Sequence, residues 1–109
     1  MDRSDVINEL AEALSRFQGE VIDAIKDTAG YGYKYAKLDG VLEITRPLLS
    51  KNGLAITQIC GSEGEKVIVE TCLLHKSGQW ISGLMAIPII VVKGITYAQA
   101  MGSAITYAR

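Results

Sequence analysis

A narrow polar stripe along the last helix predicted for this chain offers the most distinctive chemistry in the sequence. At about 100° per residue, Gln99, Ser103 and Thr106 share one face, with Gly102 and Arg109 beside them. A solvated helix face usually carries Glu and Lys, whereas this stripe combines neutral hydrogen-bonding groups, bare backbone and a guanidinium. Such groups suit contact with phosphate or with another backbone. Alternatively, the helix is buried on both sides with its hydroxyls bonded locally, and Arg109 pairs with a carboxylate.

A second set of candidate residues lies in a glycine-bearing segment and in the helix predicted after it. The set consists of Tyr33, Lys34, Tyr35, Lys37, Arg46 and Lys51. Aromatic faces stack on bases while cations neutralise phosphates, so the pattern favours single-stranded nucleic acid bound without sequence readout. The tyrosines could instead anchor the segment to the core, and Arg46 could simply pair with Glu43 on the same helix.

The sequence carries no motif for covalent or metal-assisted catalysis. His75, the single histidine, falls in a predicted hairpin turn, and Ser77 has no base next to it. Residues 61–66 lack the Gly-Lys-Ser/Thr ending of a phosphate loop and contain two acids. Cys60 and Cys72 lie in two predicted strands without metal-site spacing and are expected as buried free thiols. We therefore expect a protein that is not an enzyme, needs no metal or other cofactor and does not use ATP.

Charge is unevenly distributed along the chain. The 109 residues carry a net charge of −1, so composition gives no overall case for nucleic acid. Residues 1–30 hold three basic and seven acidic side chains, and the remainder holds eight basic and five acidic ones. An acidic first helix can thus mask a moderately basic working surface. The most apolar run, Ile81–Val92, is too short for a bilayer, which takes about 20 residues, so no membrane partner is expected.

Hydrophobic periodicity predicts two helices in the first half of the chain. The first is expected after a cap at Ser4 or Asp5 and should end near residues 27–30. The second is expected over about Leu38–Asn52, with Gly53 as its stop. Because proline removes one helical hydrogen bond and crowds the preceding turn, we expect a kink at Pro47 or a division into two short helices.

Three strands and a final helix complete the predicted order α-α-β-β-β-α, in a single domain over residues 1–109. The strands are predicted over Leu54–Cys60, Lys66–Leu74 and Gln79–Ile87, with hairpin turns at Gly61–Glu65 and His75–Gly78. The final helix meets no stop signal before Arg109. This pattern predicts a core that is truncated at its C-terminus.

Four blocks of the sequence resemble a known family. The last block is Gly102-Ser103-Ala104-Ile105-Thr106-Tyr107-Ala108-Arg109, preceded by Gln99, and the earlier ones are Lys34–Leu38, Arg46–Leu54 and Leu74–Ile81. Together they are similar to the ERF (essential recombination function) family of phage single-strand annealing proteins, over nearly the whole chain. The chain departs from that family in its apolar connector, Ile89–Val92 and Ile95, where the family has a short polar one. The family also continues the final helix further.

The resemblance implies an α+β fold in which a three-stranded antiparallel sheet packs on helices. It implies a protein that binds single-stranded DNA along its backbone and pairs complementary strands without ATP, in phage recombination. The implied partners are further copies of the chain in a ring or filament, and a single-strand binding protein or exonuclease of host or phage. The implied location is the cytoplasm of the bacterial host. The main rival is an oligomerising interaction module whose polar stripe is a subunit interface, and a metal-dependent nuclease is a distant third.

Overall fold

The computed structural model describes residues 1–26 and 38–108. This part of the chain contains four strands and three helices. In chain order they are β1 (Asp2–Arg3), α1 (Asn8–Lys26), α2 (Leu38–Lys51), β2 (Leu54–Glu63), β3 (Lys66–His75), β4 (Trp80–Pro88) and α3 (Tyr97–Ala108). The predicted α+β class is confirmed, and so is the predicted order of the elements that follow β1.

The strands form one antiparallel sheet in the order β1-β4-β3-β2. The short strand β1 was not predicted; it pairs with β4, with Asp2 opposite Ser82 and Arg3 opposite Ile81. Strand β2 extends three residues beyond its predicted end, so the first turn comprises only residues 64–65. Gly64 has a φ of 61°, which a two-residue hairpin turn demands and glycine adopts without strain.

The described residues fall into two compact units. The first unit comprises Met1–Arg3, Ile56–Leu73 and Ile81–Arg109. Its core is apolar and comes from β3, the connector after β4 and α3: Val67, Val69, Ile89, Ala100 and Ala104, with Ile87, Met101 and Ile105 packed against them. Met101, Ala104 and Ile105 of α3 thus face this core, whereas Tyr97 is about half exposed.

The second unit comprises Ser4–Ala55 and Leu74–Trp80, and within it α1 packs against α2. Its buried apolar side chains are Leu10, Ala13, Ile44, Leu49 and Leu54. The predicted alternative of two short helices is wrong, because α2 runs without interruption through Pro47. Ile44 and Leu49 are buried on either side of the proline, and this packing offsets the one lost hydrogen bond. Gly53, with a φ of 69°, ends the helix as predicted.

The N-terminus of α1 is capped by a residue distant in sequence, and the predicted caps are wrong. The helix begins at Asn8, so neither Ser4 nor Asp5 occupies the capping position. The backbone N–H groups of Glu9 and Leu10 both donate to Oε1 of Gln79, each at 2.9 Å. The Ser4 hydroxyl instead donates to the carbonyl of Val6 at 2.8 Å. The prediction of a single domain over residues 1–109 stays a prediction.

Candidate functional site

An open groove of about 900 Å³ runs along α3 in the first unit. It is lined by Gly94, Ile95, Gln99, Gly102, Ser103 and Thr106. Four of the five residues of the predicted polar stripe therefore lie together on one concave surface, which we call the α3 groove. The fifth, Arg109, lies outside the described residues.

A capping box positions the first polar residue of the groove. The Gln99 N–H donates to Thr96 Oγ1 at 3.2 Å, and the Thr96 N–H donates to Gln99 Oε1 at 3.0 Å. This Thr-x-x-Gln signature is present in the sequence, although it is not among the features predicted above. Because the cap occupies the side-chain oxygen of Gln99, the chemistry left for a ligand is that of its amide N–H groups. A turn at Gly94, where φ is 90°, leads the chain into this cap.

The two hydroxyl groups of the α3 groove have different partners. Thr106 Oγ1 donates to the carbonyl of Gly102 at 3.0 Å, one helical turn earlier. Ser103 is exposed, and its hydroxyl has no hydrogen-bond partner among the described residues. The expectation of locally bonded hydroxyls thus describes Thr106, while Ser103 is available to donate to a ligand.

Bare backbone is exposed at Gly102. Apart from the nearby backbone of α3 itself, a Cβ at this position would have no atom within 4 Å. The glycine is therefore not needed for packing inside the described protein. Its effect is to keep the helix backbone open to whatever enters the groove.

The α3 groove is electrically neutral over its described lining. None of the lining residues named above carries a charge. Lys93, which directly precedes Gly94 in the chain, is exposed. A ligand in this groove would therefore be held by amide and hydroxyl donors, by apolar contact with Ile95 and by close approach to the backbone.

The predicted site residues of α2 belong to the second unit and differ in their partners. Arg46 is exposed and makes no ion pair or hydrogen bond with another described residue, so the alternative of an Arg46–Glu43 pair is not realised. Lys51 forms an ion pair and hydrogen bond with Glu20 of α1. Tyr33, Lys34, Tyr35 and Lys37 lie outside the described residues.

A buried asparagine holds α1 and α2 together next to Lys51. Asn52 Oδ1 accepts from Arg16 Nε at 3.0 Å, and its Nδ2 donates to Glu20 Oε1 at 2.7 Å and to the Leu48 carbonyl at 2.8 Å. These hydrogen bonds satisfy a side chain that is only 6% exposed. The sequence predicts no role for Asn52 beyond the end of the helix, because its side-chain partners, Arg16 and Glu20, come from α1.

Hydrogen bonds around Glu20 change its acidity. Hydrogen bonds from Asn52 and Lys51 hold the pKa of the Glu20 carboxyl below its ordinary value, and the charges of Lys51 and Arg16 act in the same direction. Partial burial opposes this shift of the pKa without cancelling it. At neutral pH Glu20 is therefore a carboxylate held in one position by α2.

Other kinds of site receive no support within residues 1–26 and 38–108. No three metal-binding side chains cluster there, and no helix there is both long and apolar enough to cross a membrane. Cys60 and Cys72 are free thiols, but Cys60 is exposed and Cys72 is half-buried, so the expectation that both are buried is wrong.

Comparison with known proteins identifies a family. The family model described as the ERF superfamily matches residues 10–109 of the chain. The match includes α1 from Leu10 onward, α2, the three long strands and α3. Comparisons with curated proteins and with solved structures gave no match.

Proposed function

The chain belongs to the ERF superfamily, which is associated with single-strand annealing in phage recombination, and we propose on that premise that it binds single-stranded DNA and anneals complementary strands without ATP. The observation that supports this proposal best is the α3 groove. It brings together three residues of the last family-like block, Gly102, Ser103 and Thr106, with Gln99, which precedes that block.

The α3 groove suits the sugar-phosphate backbone of a single strand. An exposed Ser103 hydroxyl and the Gln99 amide can donate to phosphate or sugar oxygens, while Gly102 permits close approach. Such contacts do not read base edges, so the bases stay available for pairing with a complementary strand. Base pairing then supplies both the energy and the specificity of annealing.

Cations elsewhere in the chain complete the proposed contact set. Lysine and arginine neutralise phosphates without sequence readout, and tyrosine rings stack on bases. Besides the groove, the proposed DNA-binding residues are Tyr33, Lys34, Tyr35, Lys37, Arg46, Lys51 and Arg109.

We include in the proposal the assembly of several copies into a ring or filament. The proposed setting is the cytoplasm of the bacterial host, where the protein would act in recombination and repair of phage DNA. A single-strand binding protein or exonuclease of host or phage is a proposed further partner.

A second candidate function is an oligomerising interaction module without annealing activity. Two observations favour it: the described lining of the α3 groove is neutral, and the connector before the groove is apolar and exposed beyond its buried first residue, Ile89. Ile90, Val91 and Val92 are each about half exposed or more. Exposed apolar residues in a row are typical of protein contact surfaces. In this candidate function the α3 groove is the interface between copies.

Binding of fluorescent oligonucleotides tests the first proposal. We expect preference for a single-stranded oligonucleotide over the matching duplex, and a fall in log affinity of about 0.7 per decade of salt for each phosphate neutralised. When complementary strands are mixed without ATP, added protein should speed duplex formation. Equal affinity for duplex, or affinity that does not change with salt, would contradict the proposal.

Arg109→Ala separates the two candidate functions. The loss of one charge-assisted phosphate contact should weaken single-strand binding by roughly tenfold, since such a contact contributes about 1–3 kcal/mol. Light scattering should show an unchanged native mass under the DNA-binding proposal and a smaller mass under the interface alternative. A lower mass with unchanged DNA affinity would favour the second candidate. If DNA is not cleaved when magnesium is added, the alternative of a metal-dependent nuclease is excluded.

A further inference from the structure

Glu20 carries a negative charge that a second hydrogen bond, from Asn52, holds next to Lys51. Its Oε1 accepts from Asn52 Nδ2 at 2.7 Å, and Asn52 is itself held by Arg16 and by the Leu48 carbonyl. The Glu20 side chain is only 22% exposed. The carboxylate is therefore anchored to the packed surface of both helices.

Lys51 is the more exposed partner of this ion pair. Its side chain is 66% exposed, and its ammonium group bonds to the second oxygen of Glu20. A lysine so placed can turn toward a ligand, but the carboxylate stays behind. A phosphate that approached Lys51 would meet both the cation and a fixed anion, and the anion repels it.

The other cation of the cluster is also balanced by an acid. Arg16 Nη1 lies 3.6 Å from Glu12 Oε1, and Arg16 Nε donates to Asn52 Oδ1. Glu12, Arg16, Glu20 and Lys51 together carry no net charge. The positive charge of Lys51, which is predicted to attract phosphate, is therefore neutralised locally.

We propose that Glu20 limits the affinity for single-stranded nucleic acid by masking the charge of Lys51. This inference rests on the proposed function and adds to it a residue outside the predicted contact set. Glu20 acts through Lys51 and does not touch the nucleic acid. Weakened attraction at one cation suits an annealing protein, because strands that are held too tightly cannot rearrange while they pair.

Glu20→Gln removes the negative charge and retains an oxygen that can accept from Asn52. We expect this change to tighten binding of an oligothymidylate by about two- to fivefold, the range expected for an exposed ion pair. The slope of log affinity against log salt concentration should become steeper by up to about 0.7, equivalent to one more neutralised phosphate. A purely structural role for Glu20 would not increase the salt slope.

Asp23→Asn is the matched control. Asp23 lies on the same helix, is exposed and has no hydrogen-bond or ion-pair partner within the described residues, and its replacement changes the net charge equally. A Lys51→Met change in both backgrounds completes a double-mutant cycle. We expect Lys51→Met to weaken binding more in the Glu20→Gln protein than in the wild type. Thermal unfolding of every variant verifies that each is folded.

Retention on heparin, a sulfated polyanion, distinguishes failure of this inference from failure of the proposed function. Glu20→Gln should elute at higher salt than Asp23→Asn, and Lys51→Met should abolish the difference. If the two single variants behave alike on both heparin and oligothymidylate, the masking role is overturned. If the heparin difference appears but the wild type shows no preference for single strands, masking is supported and the proposed function is not. If Glu20→Gln does not fold, Lys51→Met alone decides the question. A fivefold loss of affinity for oligothymidylate would show that Lys51 is not masked and would overturn the inference. A smaller loss of affinity would support it.

Discussion

The two compact units use the same kinds of polar side chain in opposite ways. In the second unit, the amides of Asn52 and Gln79 are bonded to groups on other elements of that unit, including the backbone N–H groups of α1. In the first unit, the polar residues of α3 line an open groove, and Ser103 has no described partner. All of these residues belong to segments that resemble the family. Ser103 therefore keeps hydrogen-bonding capacity for a ligand, whereas Asn52 and Gln79 use theirs within the fold.

The largest expected effect comes from removing the buried amide. Asn52→Ala should lower the free energy of unfolding by about 2–3 kcal/mol, because partners on α1 and α2 lose their hydrogen bonds in a mostly buried place. Urea unfolding followed by circular dichroism measures this change. As the counterpart, Ser103→Ala in the groove should shift stability by less than about 0.5 kcal/mol. Similar losses for the two variants would remove the distinction between the units.

A smaller loss of stability is expected at the cap of α1. Gln79→Ala should cost about 1–2 kcal/mol, because the N–H groups of Glu9 and Leu10 lose their shared acceptor. Gln18→Ala provides the control, since Gln18 is an exposed residue within the same helix. The two variants can be compared by their urea midpoints. An equal effect of both would mean that the contact between Gln79 and α1 contributes nothing to stability.

Two glycines sharpen the comparison between function and folding. Gly19 of α1 and Gly102 of α3 are both helical, and a Cβ would meet nothing within 4 Å at either. Replacement by alanine should raise stability by up to about 1 kcal/mol in each case. Only Gly102→Ala should also weaken single-strand binding, by about fivefold, which corresponds to one lost contact of about 1 kcal/mol. Unchanged DNA affinity in Gly102→Ala would argue against close approach at the α3 groove.

The smallest expected effect is a pH dependence that belongs to the second unit. The pKa of Glu20 lies below its ordinary value of 4.5 in the folded protein, so its stabilising contribution is complete above about pH 4.5. That contribution is lost as the pH falls through the folded pKa. Between about pH 6 and pH 3, the melting temperature of Glu20→Gln should therefore fall less than that of the wild type. Parallel curves would show that the hydrogen bonds of Glu20 contribute no net stability.

Local signals in the sequence were sufficient to predict the helices, the hairpins and which residues form the polar stripe of α3. Periodic apolar residues predict α1, α2 and α3 because a helix repeats every 3.6 residues whatever packs against it. Gly53 predicts the end of α2 because the left-handed conformation strongly favours glycine there. The capping box at Thr96 and Gln99 was equally local and could have been found by its three-residue spacing.

Contacts between distant parts of the chain were decided by the tertiary structure alone. Gln79 caps α1 across about 70 residues, and Ser4 accepts a hydrogen bond from the Trp80 N–H across 76. Strand β1 is two residues long, so it has no periodicity of its own and exists through its pairing with β4. Such contacts depend on where the fold places partners that are far apart in the chain, so no local pattern encodes them. The sequence by itself thus determined which residues share the polar face of α3, whereas the fold decided that this face borders an open groove and that Asn52, Gln79 and Lys51 are held by partners on α1.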